Sequence, residues 1–364
     1  MELDIVFVVG TRPQLIKLAS LVRAFNKKGL EYGIIHTGQH YDYEMDKIFF
    51  EELGLPEPIE YLGVGSGSHG EQTGKIIIGV EKAYLKHGVK IAVIPGDTNS
   101  ALAAGIGGVK IGVEIAHVEA GLRSFEYYMA EEINRRVLDH ISTFLFPPTV
   151  YAYMNLLKEG IDFSRIFLVG DVMYDNILLF KKQIERAKLP ECIKEEYVYV
   201  TCHRAENVDF LERLKNIIYS LKKIADEGYQ IVYPIHPRAY RRLLDYGLYS
   251  VLEKHDNICL LRPVSYFTSL KLASQALVTI TDSGGLQKES FILGTPVITM
   301  RNTTEWIETV EYGWNFIVGY GSSRIYEVFK NIVENPPKKT SIEGVYGDGK
   351  ASIRIADIIK KYLN

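Results

Sequence analysis

Residues 281–290 read TDSGGLQKES. The β-branched run ALVTIT ends there in an acid, a serine and two glycines, and a helix-like stretch carrying Glu289 follows. Glycines at a strand end let the backbone approach a ligand closely, and the next helix turns unpaired N–H groups towards it. That arrangement suits phosphate, although the same glycines also serve plain strand-to-helix turns. Comparable polar clusters stand elsewhere: Gly10-Thr11-Arg12-Pro13, Thr37-Gly38-Gln39-His40, Pro95-Gly96-Asp97-Thr98, His117-Val118-Glu119, Thr201-Cys202-His203-Arg204 and His236-Pro237-Arg238. A helix starting at Pro13 puts Lys17 one turn in, towards the same side as Arg12. The first half of the chain supplies acids, and the second supplies histidines, arginines and the glycine junction. Their common purpose reads as a cleft that grips a diphosphate on one wall and does proton chemistry on the other.

Each group also has a plain structural use. Asp97 suits a helix cap before TNSALAAG, and Glu119 suits a solvated turn. Glu131 and Glu132, in AEEINRR, suit first-turn carboxylates that complement a helix dipole. His203 and His236 suit satisfied histidines at sheet edges. The clustering of these residues at strand ends favours the chemical reading.

The elements that position them are legible. DIVFVVG (4–10), YGIIHTG (32–38), KIAVIPG (90–96), VEIAHVEAG (113–121), TFLFPP (143–148) and RIFLVG (165–170) read as strands buried on both faces, which belong in helix-covered parallel sheets. A second series follows in YVYVTCH (197–203), QIVYPIH (230–236), NICLLRP (257–263), ALVTITD (276–282), PVITMR (296–301) and WNFIVG (314–319). Amphipathic stretches such as LIKLASLVRAFNKKG lie between strands, and the charged KKQIERAKLPECIKEE separates the two series. The expected fold is α/β, with two Rossmann-like, doubly wound domains and the active site in the interdomain cleft. The expected domains are 1–180, with the acids, and 190–345, with the nucleotide grip, while a C-terminal helix over 350–364 packs back on the first.

With 364 residues the chain exceeds one core and suits two domains. A net charge of −3 argues against a nucleic-acid partner. Cys192, Cys202 and Cys259 are too few and scattered for a disulfide framework or zinc site. No basic leader precedes MELDIVFVVGTRP and no run reaches membrane-span length, so the expectation is a cytoplasmic protein without membrane contact. There is no Walker pattern, GTRPQL is not a dinucleotide fingerprint, and no serine occupies a nucleophile elbow.

As an ordered set, GTRPQLIKLA, TGQHYDYEMD, PGDTNSALAAG, HVEAGLRS, EEINRRVLDHISTFLFPPT, VGDVMYDN, TCHRAEN, YPIHPR and TDSGGLQKESFILGTPVITMRNTTEW resemble the non-hydrolysing UDP-N-acetylglucosamine 2-epimerases, from about residue 5 to about residue 315. The resemblance implies a GT-B-like architecture, a homodimer, and interconversion of UDP-GlcNAc and UDP-ManNAc through loss and re-addition of UDP, without an added redox cofactor; no cluster of aspartates with ligand spacing stands near the glycine junction, so no metal is expected either. It implies Asp97, Glu119 and Glu131 as catalytic carboxylates, with His203 beside them. Arg12, Lys17, Arg204, His236, Ser283, Gly284, Gly285 and Glu289 would hold UDP, the glutamate taking both ribose hydroxyls. Gln39, His40 and Gln72 match positions that bind a second, activating UDP-GlcNAc in regulated relatives. The chain departs from the family at Ala130, in the loop FEYYM, at Val264 and at Trp306, which leaves room for a modified UDP-sugar. A hydrolysing epimerase, a GT-B glycosyltransferase and a non-catalytic nucleotide-sugar sensor are the competing readings. Turnover is expected to persist after exhaustive EDTA treatment and without added NAD. A strict Mg²⁺ requirement restored by titration, or a stoichiometric bound nicotinamide, would refute this expectation.

Overall fold

Each strand series forms a wholly parallel, six-stranded sheet. The computed structural model describes residues 3–38, 50–194, 196–338 and 342–364. It divides into two compact units, Met1–Leu179 with Glu343–Asn364, and Phe180–Ile342. In the first unit, β1 (Ile5–Val9), β2 (Gly33–His36), β3 (Glu60–Tyr61), β4 (Ile91–Pro95), β5 (Glu114–Val118) and β6 (Phe144–Phe146) pair in the order β3-β2-β1-β4-β5-β6. In the second, β7 (Tyr197–Thr201), β8 (Gln230–Pro234), β9 (Ile258–Leu261), β10 (Val278–Thr281), β11 (Val297–Thr299) and β12 (Asn315–Ile317) pair in the order β12-β11-β10-β7-β8-β9. Counted from its own first strand, the second sheet repeats the order of the first. Both are Rossmann-like, the pair of units that makes up a GT-B chain.

This order carries a physical consequence. Chain direction across the sheet reverses between β1 and β4, and again between β7 and β10, leaving a crevice at the carboxyl ends of those strands. β1 pairs with β4 through Ile5–Ile91 to Phe7–Val93, so the Gly10 and Gly96 turns emerge side by side. β7 pairs with β10 through Val198–Val278 to Thr201–Thr281, so Cys202-His203 and Asp282-Ser283 emerge side by side. The polar strand ends are therefore gathered at the switch points by topology.

Helices bury both sheet faces. α1 (Arg12–Lys28) carries Pro13 in its first turn and ends at Gly29, whose φ of 65° is left-handed. α2 (His69–His87) is capped by the Ser68 hydroxyl and closed by left-handed Gly88. α3 (Asn99–Val109), α4 (Ala130–Ile141) and α5 (Val150–Lys158) complete the part of the first unit that bears on the site. The helix Ala351–Leu363 returns to the first unit and packs on α1. In the second unit α6 (Gly284–Leu293) follows β10 directly. Val6, Val8, Ala92, Ile94 and Ile115 centre one core, and Val198, Val200, Ile231, Val278 and Ile280 centre the other. No helix among the described residues is long and apolar enough to cross a membrane.

The structure departs from the sequence expectations in three places. RIFLVG is not a strand, and only a single bridge links Leu145 to Ile166. Its partner β6 stops at Phe146, before two prolines that cannot donate to a ladder, and Leu168 is exposed. The two-residue β3 is too short to leave a period in the sequence. Cys192 and Cys259 form a disulfide across 67 residues. It joins the segment before β7 to β9, where Gln230 also donates to the Cys192 carbonyl at 2.6 Å and accepts from the Lys194 amide at 2.7 Å. Replacing both bridging cysteines with serine should lower the unfolding free energy by about 4 kcal/mol on the chain-entropy account. The measurement is a shifted denaturant midpoint, and an unchanged midpoint would deny the bridge a stabilising role.

Candidate active site

The switch point of the first unit is drawn tight by small residues and one amide. A Cβ on Gly10 would lie 2.0 Å from Thr37 Oγ1 and 2.2 Å from Ser100 Oγ, so only glycine fits there. Gln14 accepts from the Gly10 amide at 2.9 Å and donates to the Pro95 carbonyl at 2.8 Å, which ties the end of β1 to the end of β4. Lys17, one turn into α1, passes over Gly96 and pairs with Glu119. The sequence expectation gave Lys17 to UDP. In the structure its charge faces a carboxylate. Arg12 opens α1 and is half-buried.

The three expected acids have different surroundings. Asp97 does not cap α3, because Thr98 Oγ1 accepts from the Ala101 amide instead. Asp97 turns to Arg135, whose Nη1 lies 2.6 Å from Oδ2. Glu119 is buried at φ 70°, a left-handed conformation that a non-glycine residue holds only when its surroundings impose it. Glu131 is half-exposed, and its side chain has no hydrogen bond or ion pair among the described residues. Its neighbour Glu132 is fully buried and accepts from the Ser124 amide at 2.8 Å, Ser124 Oγ at 3.0 Å, Arg135 Nη2 at 2.9 Å and Arg136 Nε at 3.0 Å. Burial works against its charge, yet the Ser124 amide and Arg135 outweigh it and hold the carboxyl below the usual glutamate range.

The ion pairs continue. Arg136 binds Glu159 at 2.9 Å, Glu159 binds Arg123 at 2.6 Å, and Arg123 binds Asp139 at 2.8 Å. Asp139 lies 2.7 Å from His117 Nδ1, and His117 Nε2 donates to the Gly96 carbonyl at 2.9 Å, beside Asp97. Asp139 is fully buried, and His117 and Arg123 overcome the burial penalty to hold its carboxyl below the usual range. The path closes on the residue next to where it began.

At the switch point of the second unit, Asp282 is the hub. Its buried carboxylate accepts from the His203 amide at 3.0 Å, the Arg204 amide at 3.0 Å and Asn207 Nδ2 at 3.0 Å, and lies 3.2 Å from His203 Nδ1. The His203 ring remains partly exposed, 5.5 Å from the ring of His236. Arg204 Nε donates to the Asp282 carbonyl at 3.1 Å. His236 Nδ1 accepts from the Arg238 amide at 3.2 Å, capping the helix Pro237–Asp245. The Ser283 amide donates to Thr281 Oγ1 at 2.9 Å, and its hydroxyl accepts from the Leu286 amide at 3.4 Å, capping α6. Gly284 and Gly285 open α6, where amides have no carbonyl acceptor within the helix. A Cβ on Gly284 would lie 2.2 Å from Glu305 Oε1, whereas one on Gly285 would meet nothing within 4 Å.

A cavity of about 220 Å³ opens here, lined by Tyr199, His203, Val264, Ser269, Ser283 and Glu289 among others. Burial pushes the Tyr199 hydroxyl up to about 12, against its hydrogen bond to Ser269, so it stays a neutral hydrogen-bonding wall. Glu289 Oε1 accepts from Tyr266 at 2.8 Å, so a bidentate grip on a diol has to share that oxygen.

A family model described as UDP-N-acetylglucosamine 2-epimerase matches residues 23–360. The chain belongs to that family. It is 44% identical to the UDP-N-acetylglucosamine 2-epimerase of Methanocaldococcus jannaschii over 97% of both chains. It is 39% identical to the UDP-2,3-diacetamido-2,3-dideoxy-D-glucuronate 2-epimerase of Pseudomonas aeruginosa, covering 99% of this chain and 100% of that one. The structure of the M. jannaschii UDP-GlcNAc 2-epimerase with UDP-GlcNAc and UDP superimposes with a TM-score of 0.90 at 43% identity, over 98% and 99% of the two chains.

In this family member the expected regulatory residue Gln72 is buried in the first unit, donating to the Gly65 carbonyl at 2.8 Å and accepting from Asn99 at 2.8 Å. Gln39 and His40 lie outside the described residues. Among the described residues no cluster of histidine, cysteine and acidic side chains could hold a metal ion. Sequence reasoning missed Arg135, Glu132 and Asp282 as site residues. The first two left a signal, since Glu132 stands three and four residues before Arg135 and Arg136, the spacing of helical ion pairs.

The paired glutamates therefore separate experimentally. Glu131→Gln should leave the unfolding free energy within about 0.5 kcal/mol of wild type, as a surface change does. Glu132→Gln should cost about 3 kcal/mol, because it removes the buried counter-charge that Arg135 and Arg136 share and leaves each with a single carboxylate partner. Folded-state carboxyls held below their ordinary values of 4.5 for Glu132 and 3.8 for Asp139 contribute stability above those values and lose it as pH falls through the lowered ones. Acid unfolding curves should steepen in that window, and less so in Glu132→Gln.

Proposed function

We propose that this chain inverts C2 of UDP-GlcNAc to give UDP-ManNAc, without hydrolysis. The observation that carries the reading is the division of groups between the two switch points: Asp97, Glu119 and Glu131 at one, and His203 with the Gly284 and Gly285 amides at the other. The identity and coverage shared with epimerases bound to UDP-GlcNAc and UDP support the same substrate.

In this reading a carboxylate of the first unit takes the C2 proton while the C1–O bond breaks. The electron pair of that bond leaves with UDP, and the C2–H pair forms the C1–C2 double bond of 2-acetamidoglucal. A second acid then returns a proton to the opposite face of C2, and UDP adds back at C1. Two carboxyl groups in opposite protonation states are needed, and the three acids differ in the neighbours that would set them. Asp97 faces Arg135, Glu119 faces Lys17, and Glu131 faces no cation among the described residues. Charge developing on the leaving diphosphate calls for fixed donors, for which Arg12, His203 and the opening amides of α6 are suited. No net redox change occurs, since the proton leaves and returns.

A second reading keeps the route and changes the sugar. The likeness to the P. aeruginosa enzyme favours a 2,3-diacetamido uronate, and the family departures at FEYYM, Val264 and Trp306 fall in this chain's sugar or nucleotide segments. The homodimer implied by the family and the cytoplasmic setting expected from the sequence remain part of the proposal.

Incubation with UDP-GlcNAc in deuterated water should yield the manno epimer with a mass gain of one at C2, without accumulation of free UDP. Running the diacetamido uronate in parallel separates the two substrates. Asp97→Asn, Glu119→Gln and Glu131→Gln should each cut kcat by about 100-fold or more while UDP still binds. Near-normal turnover in any of them would remove that residue from the assignment.

A further inference from the structure

We propose that Arg135 is a positioning residue that sets the orientation of Asp97, and that the buried carboxylate of Glu132 sets Arg135 in turn. The inference rests on the epimerase reading, in which Asp97 touches the sugar and Arg135 does not.

Arg135 is too deeply buried to reach a substrate, with its side chain 2% exposed. Its two terminal nitrogens point to different acceptors. Nη1 lies 2.6 Å from Asp97 Oδ2, while Nη2 lies 2.9 Å from Glu132 Oε2 and 3.3 Å from Ser124 Oγ. A planar guanidinium held by three acceptors has one orientation available, which a flexible ammonium cannot copy. Glu132 is itself pinned by the amide and hydroxyl of Ser124 and by Arg136. The anchor therefore does not drift when Asp97 exchanges solvent for substrate.

The neighbouring residue completes the grip. Asn134 donates to the Asp97 carbonyl at 2.9 Å and to Asn99 Oδ1 at 3.3 Å. Adjacent residues of α4 thus hold both the backbone and one carboxylate oxygen of Asp97, whose Oδ1 has no bond among the described residues and whose side chain is 29% exposed. The first turn of the same helix carries Glu131. One rigid helix consequently fixes two of the proposed acid/base groups relative to each other, which is what proton transfer at opposite faces of one carbon requires.

The test uses the full chain, with kcat, KM, UDP affinity and thermal midpoint measured for wild type, Arg135→Met, Arg135→Lys and Glu132→Gln. Arg135→Met should lower kcat by about 100-fold, the order expected when a reacting group is misplaced by an ångström, with KM and UDP affinity within about twofold of wild type. Arg135→Lys should recover only part of that rate. Added guanidinium ion at non-denaturing concentration should raise kcat of Arg135→Ala and leave Asp97→Asn unchanged. A folded Arg135→Met or Arg135→Lys with wild-type kcat would overturn the proposal, as would a rate loss matched by an equal loss of UDP affinity. If Arg135→Met does not fold, Arg135→Lys and Glu132→Gln decide by the same split between kcat and KM. Wild-type chain without turnover on UDP-GlcNAc or the diacetamido uronate would instead overturn the epimerase reading itself.

Discussion

Burying a charge removes several kcal/mol of hydration per ion, and a folded chain tolerates it only when partners of opposite sign meet the charge at close range. The first unit solves this problem with a closed path: Asp97, Arg135, Glu132, Arg136, Glu159, Arg123, Asp139 and His117, which returns to the carbonyl of Gly96. Glu132 sits between Arg135 and Arg136, Glu159 between Arg136 and Arg123, and Asp139 between Arg123 and the His117 ring. The ends of β4 and β5, the segment around Ser124, α4 and the end of α5 are thereby locked to one another. Removing a member takes one of its partners from each neighbour, and the cost is greatest where the neighbour is fully buried, as Arg135 and Asp139 are.

The two sheets have one strand order and different chemistry at the switch point. In the first, the chain leaves β4 through Gly96 at φ 80° and leaves β5 through Glu119 in a left-handed conformation. Those turns bring carboxylates over the sheet edge, where Lys17 and Arg135 meet them. In the second, Asp282 turns inward and gathers the amides of His203 and Arg204, which fixes the loop after β7 against the turn after β10. The amides of α6 then open beside a cavity walled by tyrosine, histidine and glutamate. One topology thus gathers paired carboxylates at one switch point, and histidines, a buried aspartate and helix-opening amides at the other.

Local sequence was enough to determine the two parallel sheets, the glycine junctions and the polar residues at strand ends. Short β-branched runs without alternation suit strands covered on both faces, as all but RIFLVG proved to be, and Gly10 and Gly284 are needed where side chains crowd the backbone. Local sequence did not determine which polar group meets which. Glu131 and Glu132 are indistinguishable as neighbours in a helix's first turn, yet one faces outward and the other lies buried between Ser124, Arg135 and Arg136. That Lys17 meets Glu119, and that the Ser283 amide meets Thr281 Oγ1, is likewise written nowhere in the local pattern. Cys192 meets Cys259, and Arg123 meets Glu159, only because strands and helices far apart in the chain are brought together. Hydrophobic period and turn chemistry act over a few residues and are written in order along the chain. Charge pairing acts through space over a few ångströms, and those distances exist only once the chain has folded.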